Sequence, residues 1–295
     1  MTKVALVKTN NRREGVKKLL KILDINPVKE KHVVLKPNFN TADPPPASTH
    51  MNTLEQLIIE LENMGAKKIT LAERSGPVNT EESFQTKGVY ELSKKLGFEI
   101  VNLDKQPRDE YVLIEPDDSH WKKGFLFSKL YKEAEAIVET GCIKTHRFGG
   151  HFTLSLKNAV GLVPREGYSY MNELHSSNYQ REMIAEINTA FEPDLIIMDG
   201  VDIFIDGGPD KGTKKNAKIM IAGTDRIAVD AVCVAILRLY DTTPEVSEGK
   251  IFEQDQIARA VELGLGVSDP SEIILVTDKT ASEKLEQKIL EKLIS

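Results

Sequence analysis

Between Thr140 and Arg165 the sequence carries Lys144, His146, Arg147, His151, Lys157 and Arg165 but no Asp or Glu, although the 295-residue chain has a formal net charge of −6. Lysine supplies a point charge and arginine a planar fork. The turn at Gly149-Gly150 adds backbone N–H groups and close approach, so the stretch suits a small carboxylate or phosphate. Lys144, Arg147 and Lys157 are the expected anion contacts. His146 and His151 titrate near neutral pH in their ordinary state and are the candidates for moving a proton. As a metal pair they are weaker, because His-x-x-x-x-His brings no third ligand with it. The competing reading is a solvated basic surface loop, and the position just after an apolar run favours the anion site.

Three other loops carry polar residues. KPNFNTADPPPASTH offers Lys36 and Asn38, stiffened by Pro44, Pro45 and Pro46. A rigid connector with a helix cap explains the same residues equally well. ERSGP (73–77) reads more readily as a plain turn than as a site. Asp199 ends the apolar run PDLIIMDG and is the candidate ligand for a divalent cation, whereas Asp206 and Asp210 fit turn chemistry. Asp225 reads as a helix cap. Asp230 interrupts an apolar helix face and needs a polar partner if buried. GGPDKGTK has P-loop-like glycine spacing but Thr213 precedes Lys214 and a strand follows, so it is no nucleotide site.

The elements that must position these residues alternate. Apolar β-type runs are found at 3–8, 32–37, 67–73, 97–103, 134–141, 193–200, 217–223 and 272–277. Helical periodicity falls at 13–23, 53–65, 82–97, 178–191, 225–240, 256–264 and 282–294. The stretch 105–127 is less regular and is expected to hold a hairpin or an insertion. HFTLSLKN admits a strand or a helix start, and the helix is preferred. This alternation predicts an α/β fold, with a mainly parallel mixed sheet covered by helices on both faces. The expected organisation is one large domain over 1–295, with a division into two lobes near 165–180 left open. In such sheets ligands bind beyond the carboxyl ends of strands, where all the loops above are placed.

The totals exclude several classes. An acidic chain is not built for broad nucleic-acid binding, and no apolar run approaches a membrane span. The N-terminus lacks a secretory apolar core, which points to a cytoplasmic protein. Cys142 and Cys233 are isolated, so this chain alone cannot ligate an iron–sulfur cluster.

VVLKPNFN (33–40), CIKTHRFGGHFTLSLKNAVGLVP (142–164), PDLIIMDG (193–200) and DRIAVDAV (225–232) together resemble the domain-of-unknown-function family 362 (DUF362). The Lys-Thr-His and Leu-Lys-Asn-x-x-Gly elements are the most specific parts and add Asn158 to the site candidates. The resemblance implies a shared site more than a reaction. Many relatives carry a ferredoxin-type Cys-rich segment, from which this sequence departs. A looser similarity is to lactate racemase of the nickel-pincer type, in its histidines and Gly-Gly turn. Two functions are therefore expected. One is an enzyme that binds a small anionic substrate, with a divalent metal near Asp199 as an option. The other is a non-enzymatic accessory or carrier module of an anaerobic redox or cofactor-assembly system, working with a ferredoxin-like partner.

Overall fold

Successive residues of the first strand, β1 (Thr2–Lys8), face opposite ways, as the two-residue period of a strand requires. Val4 and Leu6 enter one apolar core, and Ala5 and Val7 enter another. The computed structural model describes residues 1–165, 167–279, 281 and 283–295. The other strands are β2 (His32–Lys36), β3 (Lys68–Glu73), β4 (Glu99–Asn102), β5 (Tyr111–Ile114), β6 (Phe125–Ser128), β7 (Ala136–His146), β8 (His151–Thr153), β9 (Leu195–Gly207), β10 (Gly212–Lys215), β11 (Ile219–Gly223) and β12 (Ile273–Thr277).

Ten strands form one sheet, in the order β12-β1-β11-β9-β7-β2-β3-β4, with β10 added to β9 and β8 added to β7. The β9-β7-β2-β3-β4 half is parallel throughout, as is β12-β1, while β11 runs antiparallel to both of its neighbours. This is the mainly parallel mixed sheet that the alternating pattern predicts. Helices Arg12–Leu23, Met51–Asn63, Thr80–Lys87 and Val89–Leu96 cover one face. Helices Arg226–Arg238, Asp255–Glu262 and Glu283–Ile294 cover part of the other. The rest of that face, beneath Val34, Ala72 and Ile137, is covered by Gln180–Ile187 and the β5–β6 pair with Trp121, Phe125 and Phe127. The irregular stretch 105–127 thus supplies an antiparallel two-stranded sheet. Residue 282, the first of the predicted last helix, lies outside the described residues.

Three expectations about local structure are corrected. The helix predicted over 82–97 is two helices that meet at Gly88, whose φ of 70° breaks the run. The strand predicted to stop at Gly141 continues to His146, so Cys142, Lys144 and His146 stand on a buried strand and not in a surface loop. Polar side chains hide this strand from an apolar-run reading. Its backbone is satisfied by β8, with Lys144 opposite Thr153 and His146 opposite His151. HFTLSLKN, read as a helix start, divides: His151–Thr153 is strand and only Ser155–Asn158 is helix.

That short helix is held from below. The buried Asp230 carboxylate accepts from Ser155 N at 2.8 Å and Leu156 N at 3.0 Å. Burial pushes Asp230 up to about 8 against the pull of these two donors. The polar partner that Asp230 needs is therefore the helix that carries Lys157 and Asn158. Asp230→Ala leaves two buried N–H groups unsatisfied, and the expected cost is about 2–4 kcal/mol. Amide exchange at Ser155 and Leu156 should accelerate first. Unchanged protection of both amides would contradict this role.

Candidate functional site

Because β2, β3 and β7 are parallel neighbours, their carboxyl ends lie along one edge of the sheet. Lys36 and Asn38 leave β2, Glu73 and Arg74 leave β3, and His146 ends β7. All five line one cleft of about 1110 Å³, together with Thr153, Lys157, Asn158 and His175. This is the switch-point geometry expected for ligand binding in an open α/β sheet.

A chain of polar contacts forms the floor. Lys36 Nζ donates to Glu73 Oε1 at 2.7 Å, to Pro37 O at 2.8 Å and to Asn158 Oδ1 at 3.2 Å. Asn38 Nδ2 donates to the same Asn158 oxygen at 3.1 Å, and Asn38 Oδ1 accepts from Lys144 Nζ at 2.9 Å. Lys144 also donates to the carbonyl of Ala47. Glu73 completes the floor by accepting from Arg74 N at 2.7 Å and Phe39 N at 2.8 Å. Burial lowers Lys36, with Glu73 opposing it, and pushes Lys144 down to about 8.

Lys157 differs from these lysines. It is 7% exposed and lines the cleft, yet its ammonium has no acceptor and no counterion among the described residues. Burial, reinforced by the positive charges of Lys144 and Arg74, pushes it down to about 8. Arg74 is also buried, and it directs its guanidinium to the carbonyls of Val163, Ser75 and Val160, with no carboxylate partner among the described residues. Beside Lys157 lies His146, whose buried Nδ1 has no hydrogen-bond partner. Burial first, then Lys157 and His175, hold this imidazole well below the usual histidine range, so it is neutral. Gly150 makes the neighbourhood possible: a Cβ there would sit 2.9 Å from both His146 Nδ1 and Lys157 Cε. The Thr153 hydroxyl is likewise buried and unpartnered.

Of the expected site residues, Lys36, Asn38, His146, Arg147, Lys157 and Asn158 line this cleft. Lys144, His151 and Asp199 are not among its lining residues. Lys144 supports Asn38 from behind. Half-buried His151 is set among Gln254, Arg181, Glu245 and Asp255. Asp199 accepts from Arg12 Nε at 2.6 Å and Thr53 Oγ1 at 2.9 Å, so its carboxylate serves an ion pair behind helix Arg12–Leu23. Arg147 is at the cleft but is engaged by Asp210 at 2.9 Å and the Gly208 carbonyl at 2.8 Å. Among the described residues no group of three or more His, Cys, Asp or Glu side chains is placed to hold a metal ion.

Glu73, Arg74, Thr153 and His175 were not foreseen as site residues. ERSGP was read as a turn, and the overlooked signal is that Glu73-Arg74 ends a buried parallel strand. His175 carries no such signal, because helix Tyr170–Ser176 is brought over the cleft only by tertiary packing. That helix falls in the 165–180 stretch proposed above as a lobe junction.

Among the described residues no helix is long and apolar enough to cross a membrane. Over 153 residues the sequence is 28% identical to the thylakoid-associated protein sll1697 of Synechocystis sp., a match that spans 50% of this chain and 46% of that protein. Among solved structures, the lactate racemase apoprotein from Thermoanaerobacterium thermosaccharolyticum aligns with a TM-score of 0.47 and 16% identity, over 69% of this chain and 50% of that one. The chain thus spans about half the length of each of these relatives. The residues of the cleft floor, from β2 through the Lys157 helix to Asp230, fall within the segment 33–235 that matches one family model, and the chain belongs to that family, Domain of unknown function (DUF362).

Proposed function

We propose that the protein is an enzyme whose cleft binds a small carboxylate or phosphate, with His146 moving a proton on the bound substrate. The observation that carries this reading is Lys157, a largely buried lysine whose ammonium faces the cleft without a counterion among the described residues. An unpaired buried charge is costly and marks a site that a ligand of opposite charge completes. Arg74 adds positive field, while Thr153 and His146 supply unpartnered polar atoms to orient the ligand. Neutral His146 has a lone pair free to accept a proton, and the bound anion offsets the positive charge it then gains.

Sulfate is the simplest probe, since its own charge is constant near neutral pH. Sulfate titration by calorimetry should show binding, strongest below pH 8. Lys157 is then charged, and a bound dianion raises its proton affinity further. Above about 8 the free protein has lost that proton, so the apparent affinity should fall by about tenfold per pH unit. His146 and His175 are held low by burial and add no titration in this range. Arg74 stays charged, and Lys144 titrates near Lys157 but from behind the floor. No sulfate binding, or an affinity that does not change between pH 7 and 9, would count against the proposal.

A further inference from the structure

Lys157 has the surroundings of an amine that reacts, beyond those of a charge that binds. Its charged neighbours on the floor, Lys144 and Arg74, are both cationic, and across Gly150 it meets the neutral His146. No carboxylate pairs with it among the described residues, so no counterion of the protein holds its proton in place. His146 Nδ1, within reach of the same point in space as Lys157 Cε, has no partner among the described residues and is a free proton acceptor in the Nε2–H tautomer. The cleft is wide enough for a metabolite-sized molecule, and Arg74 leaves positive field on the wall for an anionic group.

We infer that Lys157 is a carbonyl-reactive amine: the cleft takes a small ketone or aldehyde that also bears a carboxylate or phosphate, and Lys157 condenses with its carbonyl carbon. The inference rests on the anion-site reading above. In the first step the Nζ lone pair forms a C–N bond while the C=O π pair moves to oxygen. His146 takes a proton from nitrogen and returns it to that oxygen, giving a carbinolamine. Water in the cleft supplies a second proton to the hydroxyl, which leaves as water while the nitrogen lone pair forms C=N, giving the protonated imine. The sum is amine plus carbonyl plus a solvent proton giving protonated imine plus water, with no change of oxidation state. Protonated on nitrogen, the imine restores the positive charge next to Arg74 and draws electrons from the adjacent carbon. The burial that brings Lys157 down to about 8 keeps a share of free amine near neutral pH, which a solvent-exposed lysine lacks.

Reductive trapping tests this on the full chain. Pyruvate and dihydroxyacetone phosphate are each incubated with the protein and sodium cyanoborohydride, followed by peptide mass mapping. The expected result is one reduced adduct per chain on Lys157, labelled about tenfold or more faster than any other lysine and suppressed by sulfate. Labelling by pyruvate alone assigns a 2-oxo acid, and labelling by the phosphate ester alone assigns a phosphorylated ketone. Lys157→Arg keeps a positive charge but has no free amine, so it should lose the adduct. Mapping on the unmodified chain decides the question even if that variant does not fold. Labelling absent with both probes, or spread evenly over surface lysines, overturns the inference. If sulfate still binds in that case, the anion site stands without the covalent step. If neither is seen, both fall.

Discussion

Replacing Lys157 by methionine is expected to make the protein more stable and to remove its affinity for small anions. Methionine keeps the length and flexibility of the side chain, so the packing around Ser155–Asn158 survives. What disappears is the ammonium of a largely buried lysine that has no partner among the described residues. The displacement of Lys157 from 10.5 to about 8 corresponds to a penalty on the order of 3 kcal/mol at 1.36 kcal/mol per unit. Relaxation and water in the cleft reduce what is recovered, so the expected gain is about 1–3 kcal/mol at pH 7, read as a higher urea midpoint at unchanged slope. The sign of the pH dependence follows from the lowered value. Below about 8 the folded protein carries the whole penalty. Between about 8 and 10.5 the unfolded chain binds more protons than the folded one, so wild-type stability rises with pH. Lys144 contributes a rise of the same sign, and this part persists in the variant. A stability that falls in Lys157→Met, or sulfate binding that survives, would show that Lys157 is an ordinary packed side chain. The opposite movement of stability and binding is the mark of a residue retained for function.

Glu73→Gln is expected to have the largest effect on the fold, a loss of about 3–5 kcal/mol. Glu73 and Lys36 are each 1% exposed and meet at 2.7 Å. The two Glu73 oxygens also accept from the backbone of Phe39 and Arg74, which fixes the paths leaving β2 and β3. Glutamine has one acceptor oxygen, and its amino group must face either Phe39 N or the Lys36 ammonium, both donors. Lys36 is then a buried cation without its charge partner. Adding Lys36→Met to Glu73→Gln should recover part of the loss, because it removes that uncompensated charge. A double-mutant cycle measured by urea unfolding reads the coupling directly. Strict additivity of the two single losses would refute the paired floor.

The sequence by itself determined the alternation of strands and helices, and with it the mainly parallel sheet and the edge on which a ligand site belongs. Those features rest on apolar periodicity and on turn chemistry, which are local. It also marked Lys36, Asn38, His146, Arg147 and Lys157, because polar residues just beyond buried runs stand out against an acidic chain, while the family resemblance added Asn158. Asp230 was legible as an anomaly, a carboxylate on an apolar helix face, but its answer lies 74 and 75 residues away at Leu156 and Ser155. Only the tertiary structure decided which cations are spent and which, among the described residues, is left without a partner. Lys144 turns behind the floor to Asn38, Lys36 is neutralised by Glu73, and Arg147 is taken up by Asp210. Asp199 is drawn to Arg12, and His151 stands apart from the cleft that His146 enters. A partner's distance in space has no trace in composition or spacing. The state of Lys157 depends on such distances: the sequence displays one more lysine in a basic stretch, and packing leaves that lysine largely buried, unpaired among the described residues and beside a neutral histidine.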